Sequence, residues 1–159
     1  MGVGLLAQMG ADLAARGVSA AEMVRIFDRR VPDLDVYMAL DTLEYLKRGG
    51  QISGARAAIG TLLSVKPIIT IRDSIVGTVD RVCTRSKARE RVLELFLAKP
   101  IERLAVLHTT NADADEFAAR ARATSGLAPD AISVKTVGPS VGPHLGPGCV
   151  GAAVLYERV

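Results

Sequence analysis

Residues 67–83 read PIITIRDSIVGTVDRVC, and this stretch decides the fold. Pro67-Ile68-Ile69-Thr70-Ile71 is apolar and β-branched, Arg72-Asp73-Ser74 is a tight polar connection, and Ile75 to Cys83 is strand-like again. Two such runs joined by so short a link predict a β-hairpin. On either side of it the pattern turns helical. Ala55 to Leu63 is small and apolar almost all round, which predicts a short helix buried on more than one side. Ser86 can cap a helix running to about Ala98, with Ala88, Val92, Leu95 and Phe96 inward.

Further out the alternation continues. Val36 to Leu40 reads as a strand. Asp41 and Glu44 then form a capping pattern with Leu40 and Tyr45 as a hydrophobic staple, and Lys47-Arg48-Gly49-Gly50 closes the helix. Leu104 to His108 is a strand, Asn111 or Asp113 starts a helix that Gly126 ends, and Ile132 to Val137 is a strand. A Gly/Pro-rich loop, Gly138 to Gly148, leads into a last strand, Val150 to Tyr156. The fold class is therefore α/β of the mixed α+β kind: about six strands in a mixed sheet covered by helices.

Two helices precede every strand. Leu5, Leu6, Met9 and Leu13 recur at helical spacing until Gly17, and Ser19 with Glu22 caps a second helix from Ala20 to Arg29, ended by Pro32. They look like the tail of something else. The expected division is 1–30 as a helical remnant of a preceding domain and 31–159 as the mixed α/β domain. Left as orphans, Leu5, Leu6, Met9 and Leu13 would form an exposed patch that invites dimerisation.

Composition narrows the function classes. The chain has 159 residues with 49% apolar and 4% aromatic content and no Trp, so the core is built from Leu, Val, Ile and Ala. The charge of +3 is scattered, with no basic stripe interleaved with aromatics, which argues against nucleic acid. No apolar run approaches the roughly 18 residues of a membrane span, and Met1 to Leu6 lacks the cationic start of a signal peptide. Cys83 and Cys149 sit in apolar runs and are expected as buried free thiols, suited to a reducing cytoplasm.

The chemistry-bearing residues are few. His108, His144, Cys83 and Cys149 have no metal-ligand spacing, so no metal site is expected. Gly138-Pro139-Ser140-Val141-Gly142 has the outline of a nucleophile elbow, but Pro139 precedes the serine and a further Pro-Gly loop follows where a helix should. Gly142-Pro143-His144-Leu145-Gly146-Pro147-Gly148 is a poor phosphate nest, because two prolines remove amide donors. It is nonetheless a stiff loop that presents one imidazole. Two readings stand: His144 orients a polar ligand head, or it caps a structural turn by bonding to backbone. Arg48, at a helix end, and Arg85, at a strand-to-helix junction, are candidate anion partners or simply solvated cations.

Four stretches together resemble the DegV family of fatty-acid-binding proteins: Leu40 to Gly50, Ile59 to Ile68, Thr84-Arg85-Ser86-Lys87-Ala88, and Gly138-Pro139 through His144 to Gly148. Met1 to Leu5 is similar to a segment that lies inside the longer family members. The resemblance implies two domains. The first grips the fatty-acid carboxylate with Ser and Thr hydroxyls; the second, mixed α/β, helps cover the acyl tail. It also implies a carrier, not an enzyme, that presents its acid to a separate fatty-acid kinase subunit, which makes acyl phosphate. Carried over by position, His144 approaches the ligand head with Gly142, Pro143 and Leu145 around it, and Arg85, with Arg48, faces the kinase. Gln51 stands where Arg is common in the family, and Pro143 and Leu145 stand where Thr is common.

The expected function is that of the C-terminal domain of a fatty-acid carrier, with a long-chain fatty acid as ligand and no other cofactor. Ile59, Leu62, Leu63 and Ile69 are expected to line the tail or to be ordinary core. The first domain's carboxylate grip is absent from this sequence, so a fragment, a truncated protein or a partner half on another chain is expected, with a homodimer as a further possibility. The rival readings are a structural or oligomerisation domain without ligand, and a hydrolase using Ser140 or Cys149.

Overall fold

The computed structural model describes residues 1–51, 65–72, 75–109 and 114–158. The expected helix at Ala55 to Leu63, the link at Asp73-Ser74 and the helix start at Asn111 or Asp113 fall outside, or at the edge of, those residues. Among the described residues, six strands form one mixed sheet: β1 Leu34–Ala39, β2 Lys66–Arg72, β3 Ile75–Val82, β4 Ile101–His108, β5 Ile132–Thr136 and β6 Val150–Tyr156, in the order β3-β2-β1-β6-β4-β5. β2 and β3 are antiparallel, as the hairpin reading requires, with a register shift between Ile68 and Ile69. β4 and β5 are parallel, and the remaining pairs are antiparallel. The described helices are α1 Gly2–Ala15, α2 Ala20–Arg30, α3 Glu44–Arg48, α4 Arg85–Phe96, α5 Ala114–Ser125 and α6 Gly142–Leu145.

Each face of the sheet carries its own core. α4 (Ala88, Val92, Leu93, Phe96) and α5 (Phe117, Ala118, Ala121) pack against Tyr37, Ala39, Ile68, Leu104, Val106 and the even-numbered residues of β6. On the other face, α1, α3 and α6 bring Leu5, Met9, Leu46 and Leu145 against Met38, Ile69, Ala105, Leu107, Ala153 and Leu155. Strand period two sorts these residues, and helical period presents the covering side chains. β6 is buried along its whole length. At Gly151 a Cβ would collide with the Tyr37 carbonyl and the Met38 backbone, so only glycine lets β1 approach this closely.

Several local expectations are corrected. Thr84 rather than Ser86 caps α4, its hydroxyl accepting the Lys87 N–H at 3.2 Å, because β3 ends early enough to leave Thr84 extended. Asp41 does not cap α3. Thr42 Oγ1 accepts the Glu44 N–H at 3.2 Å, and the Asp41 carboxylate is taken by distant cations. The Gly138–Gly148 segment is not all loop, for it winds into α6. Cys149 is a buried free thiol as expected, but Cys83 is exposed, at the bend where edge strand β3 ends.

The exposed patch expected on α1 is also corrected. Leu5 is 1% exposed and Met9 8%, both against the sheet, while Leu6 and Leu13 are half-buried. Asp12 of α1 pairs with Arg103 of β4 at 2.5 Å. Arg30, buried at the end of α2, donates to Glu102 at 2.5 Å and to the Tyr156 carbonyl at 2.9 Å. Leu5→Ala should therefore cost about 2–5 kcal/mol by cavity formation. Leu6→Ala should cost distinctly less. Urea midpoints of the two variants against the parent check this.

Candidate functional site

The site forms where the segment after β1 meets the Gly/Pro loop before β6. Leu40 continues β1, its N–H bonded to the Pro67 carbonyl at 2.9 Å. Asp41 follows, then the short α3. That helix ends as its sequence asks: the Gly50 N–H reaches the Lys47 carbonyl at 3.1 Å, the Gln51 N–H reaches the Leu46 carbonyl at 2.9 Å, and Gly50 has φ +68°. This left-handed stop needs glycine.

The Gly/Pro loop is fixed by Thr109, just past β4. Its hydroxyl donates to the Gly146 carbonyl at 2.9 Å and accepts the Cys149 N–H at 3.0 Å, while its own N–H bonds the Cys149 carbonyl at 3.0 Å. One buried threonine thus closes both ends of residues 146–149. Upstream, the Gly138 carbonyl accepts the Val141 and Gly142 N–H groups and starts α6, which carries His144.

Three glycines mark where the two segments interlock. A Cβ at Gly49 would collide with the His144 imidazole, at Nδ1 first, and one at Gly146 would collide with the Tyr45 ring. At Gly148 a Cβ would come within 2.5 Å of Asp41 Oδ2 and 3.6 Å of an Arg85 Nη. Gly146 and Gly148 also have φ +77° and +75°. Close approach and left-handed backbone both require glycine here.

Asp41 is the electrostatic centre. Arg85 Nε donates to it at 2.8 Å and an Arg85 Nη completes a bidentate pair. Lys66 Nζ lies 3.3 Å from the carboxylate and donates to the Asp41 main-chain carbonyl at 3.3 Å. Partial burial alone would raise the carboxyl pKa, but the hydrogen bonds and charges of Arg85 and Lys66 outweigh it and hold it below the usual carboxylate range. Ala39, Asp41, Lys66, Arg85, Arg89 and Gly148 line a crevice of about 10 Å³, room for about one water molecule. A wider, shallow depression of about 400 Å³, bordered by Leu97 to Ile101, Thr124 and Ser125, lies at the other end of β4.

The expected residues divide as follows. His144, Gly142, Pro143 and Leu145 are together on α6, with His144 half-buried, Pro143 exposed and Leu145 buried in the core of the second face. Ile69 is buried in that same core. Ile59, Leu62 and Leu63 lie outside the described residues. Arg85 starts α4 and is held by Asp41. Arg48 is exposed and pairs with Glu44 at 2.5 Å. Sequence reasoning missed Asp41, Lys66 and Thr109. Asp41 was absorbed into a capping pattern, and nothing local distinguishes Thr109. Ser140 is exposed, and burial with the nearby Asp41 charge pushes the Cys149 thiol up to about 12, so it is no thiolate nucleophile at neutral pH. Among the described residues no His, Cys, Asp or Glu cluster could hold a metal ion, and no helix is long and apolar enough to cross a membrane.

The family model for the DegV family, described as an uncharacterised protein family, matches residues 1–157. The chain belongs to the DegV family. A DegV domain-containing protein of Streptomyces coelicolor is 34% identical over 160 residues, which cover 97% of this chain and 56% of that protein. The solved structure of a DegV family protein from Thermus thermophilus, described by its fatty acid binding, is 32% identical with a TM-score of 0.82, over 98% of this chain and 57% of that one. DegV of Bacillus subtilis, described as a fatty acid binding protein, is 27% identical with a TM-score of 0.77, over 98% and 57%. This DegV-family chain thus spans a little over half the length of the relatives it matches.

Thr109→Val keeps the shape but leaves the Gly146 carbonyl and the Cys149 N–H unpaired, each costing about 1–3 kcal/mol. Urea unfolding should show that loss. Iodoacetamide at mildly alkaline pH should modify Cys83 and spare Cys149 in the folded parent, and modify both after denaturation, as read by intact mass.

Proposed function

We propose that this chain is the acyl-covering domain of a fatty-acid carrier. It helps enclose the tail of a long-chain fatty acid and presents the acid to a separate fatty-acid kinase subunit, without carrying out the phosphoryl transfer itself. The observation that carries the reading is His144: a half-buried imidazole on a short helix, its loop fixed by Thr109 and its ring seated against Gly49. A fixed imidazole can donate to a carboxylate, and such charge-assisted hydrogen bonds are stronger than neutral ones. The family membership and the two relatives described by fatty acid binding supply the ligand class.

In this reading the ligand's polar end meets His144 within the Gly142-Pro143-His144-Leu145 turn, and its tail runs along the face that holds Ile69, with Ile59, Leu62 and Leu63 as further wall. Each CH₂ withdrawn from water contributes about 0.8 kcal/mol, so the tail supplies most of the affinity. A preceding half brings the hydroxyl grip on the carboxylate, and residues 1–30 are its last part, docked on the sheet. Arg85 and Arg48 meet the kinase. The setting is the cytoplasm. A second reading, an oligomerisation domain without ligand, draws on Ile71, Ile75 and Val79, which are exposed around the edge hairpin.

Organic extraction of natively purified protein followed by mass spectrometry should release fatty acids. Joined to a preceding half, the chain should bind hexadecanoic acid, and His144→Gln should weaken that binding about ten- to hundredfold through loss of a charged hydrogen bond. A blank extract together with no hexadecanoic acid binding by the joined protein would favour the oligomerisation domain, which sedimentation would then show as a stable dimer.

A further inference from the structure

Three close approaches tie residues 41–49 to residues 144–148: Gly49 to His144, Tyr45 to Gly146, and Asp41 to Gly148. None leaves room for a Cβ, so the two segments are packed directly against each other. Thr109 holds them from the β4 side. From the opposite side they are held by Asp41, whose carboxylate joins them to Arg85 on α4 and to Lys66 at the start of β2. The Arg85 side chain is 59% exposed while that of Asp41 is 21% exposed, so the pair runs from the surface inward. The path from Arg85 to the imidazole is continuous: guanidinium, Asp41 carboxylate, Gly148 backbone, then the turn that carries His144.

We propose that Asp41 is a positioning residue that couples Arg85 at the surface to His144 in the Gly/Pro turn, so that a change in the pairing of Arg85 shifts the imidazole. Asp41 touches no ligand in this scheme. An acidic partner surface that competes for the Arg85 guanidinium loosens the carboxylate's hold beside Gly148, and the turn relaxes. This deepens the proposed carrier reading and rests on it only for the identity of that partner as the kinase. The chemistry of the link is a bidentate guanidinium–carboxylate pair, whose planar geometry lysine or a neutral side chain does not reproduce. The coupling has physical content because side chains packed in direct contact with a turn pass a displacement on to it when one of its supports is removed.

The test is proton NMR of the imidazole resonances in this chain without added ligand. There are two histidines, His108 and His144, and His144→Gln assigns them. Arg85→Gln and Asp41→Asn should each displace the His144 resonances in the same direction, and the double variant should match Asp41→Asn, since removing the carboxylate already breaks the Arg85 link along with that to Lys66. Arg91→Gln removes a charge from the same helix, where Arg91 pairs with Asp80 and Glu94, and should leave His144 unmoved. A direct through-space charge effect would act oppositely in the two variants and cancel in the double; that pattern overturns the proposal, as does an unmoved His144 in Arg85→Gln with a folded amide spectrum. If Asp41→Asn does not fold, Arg85→Gln against Arg91→Gln decides. Because no ligand is used, an unmoved imidazole leaves the fatty-acid reading standing, and a blank lipid extract leaves this measurement intact.

Discussion

The structure depends on β6 being paired and buried on both sides. It lies between β1 and β4, antiparallel to each, and every residue from Val150 to Tyr156 is buried. Backbone donors and acceptors of such a strand have no water to turn to, so their ladders to both neighbours must be complete. The run Gly151-Ala152-Ala153 keeps the strand thin enough for β1 and for both cores to close on it. Its register fixes Cys149, and through Cys149 the end of the Gly/Pro turn.

The site is thus an extension of the sheet rather than a free loop. Thr109 leaves β4 and Cys149 enters β6 side by side, and the threonine hydroxyl spans the gap to Gly146. The prolines and glycines of the turn restrict its backbone, the threonine anchors it, and α3 fills the space beside it. His144 gains a defined position from these supports.

Charge serves a different end from packing here. Surface pairs such as Arg48 with Glu44 contribute little in water. The Asp41–Arg85–Lys66 group is different in kind, for it joins the segment after β1, the start of α4 and the start of β2 at one end of the sheet. The depressed Asp41 pKa follows from that convergence, and the pair's hold is present at neutral pH and lost as pH falls below the ordinary carboxylate value of 3.8 toward the lowered one.

By itself the sequence determined the order of the described strands and longer helices, the antiparallel pair at residues 67–83, the mixed sheet and the stops at Gly17, Gly50 and Gly126, because periodicity, capping and left-handed glycines act over a few residues. The family motifs marked His144 for the same reason: they are contiguous in the chain. Tertiary structure alone decided what Asp41 does. Its capping pattern is satisfied on paper, yet α3 starts only at Glu44, with Leu43 rather than Asp41 at its N-cap, and the carboxylate turns instead to Arg85, 44 residues away. Tertiary structure likewise seated Leu5 and Met9 on the sheet and chose Thr109 as the anchor of the turn. These depend on which strands become neighbours, and that is settled by packing across the whole domain, where no local pattern reaches.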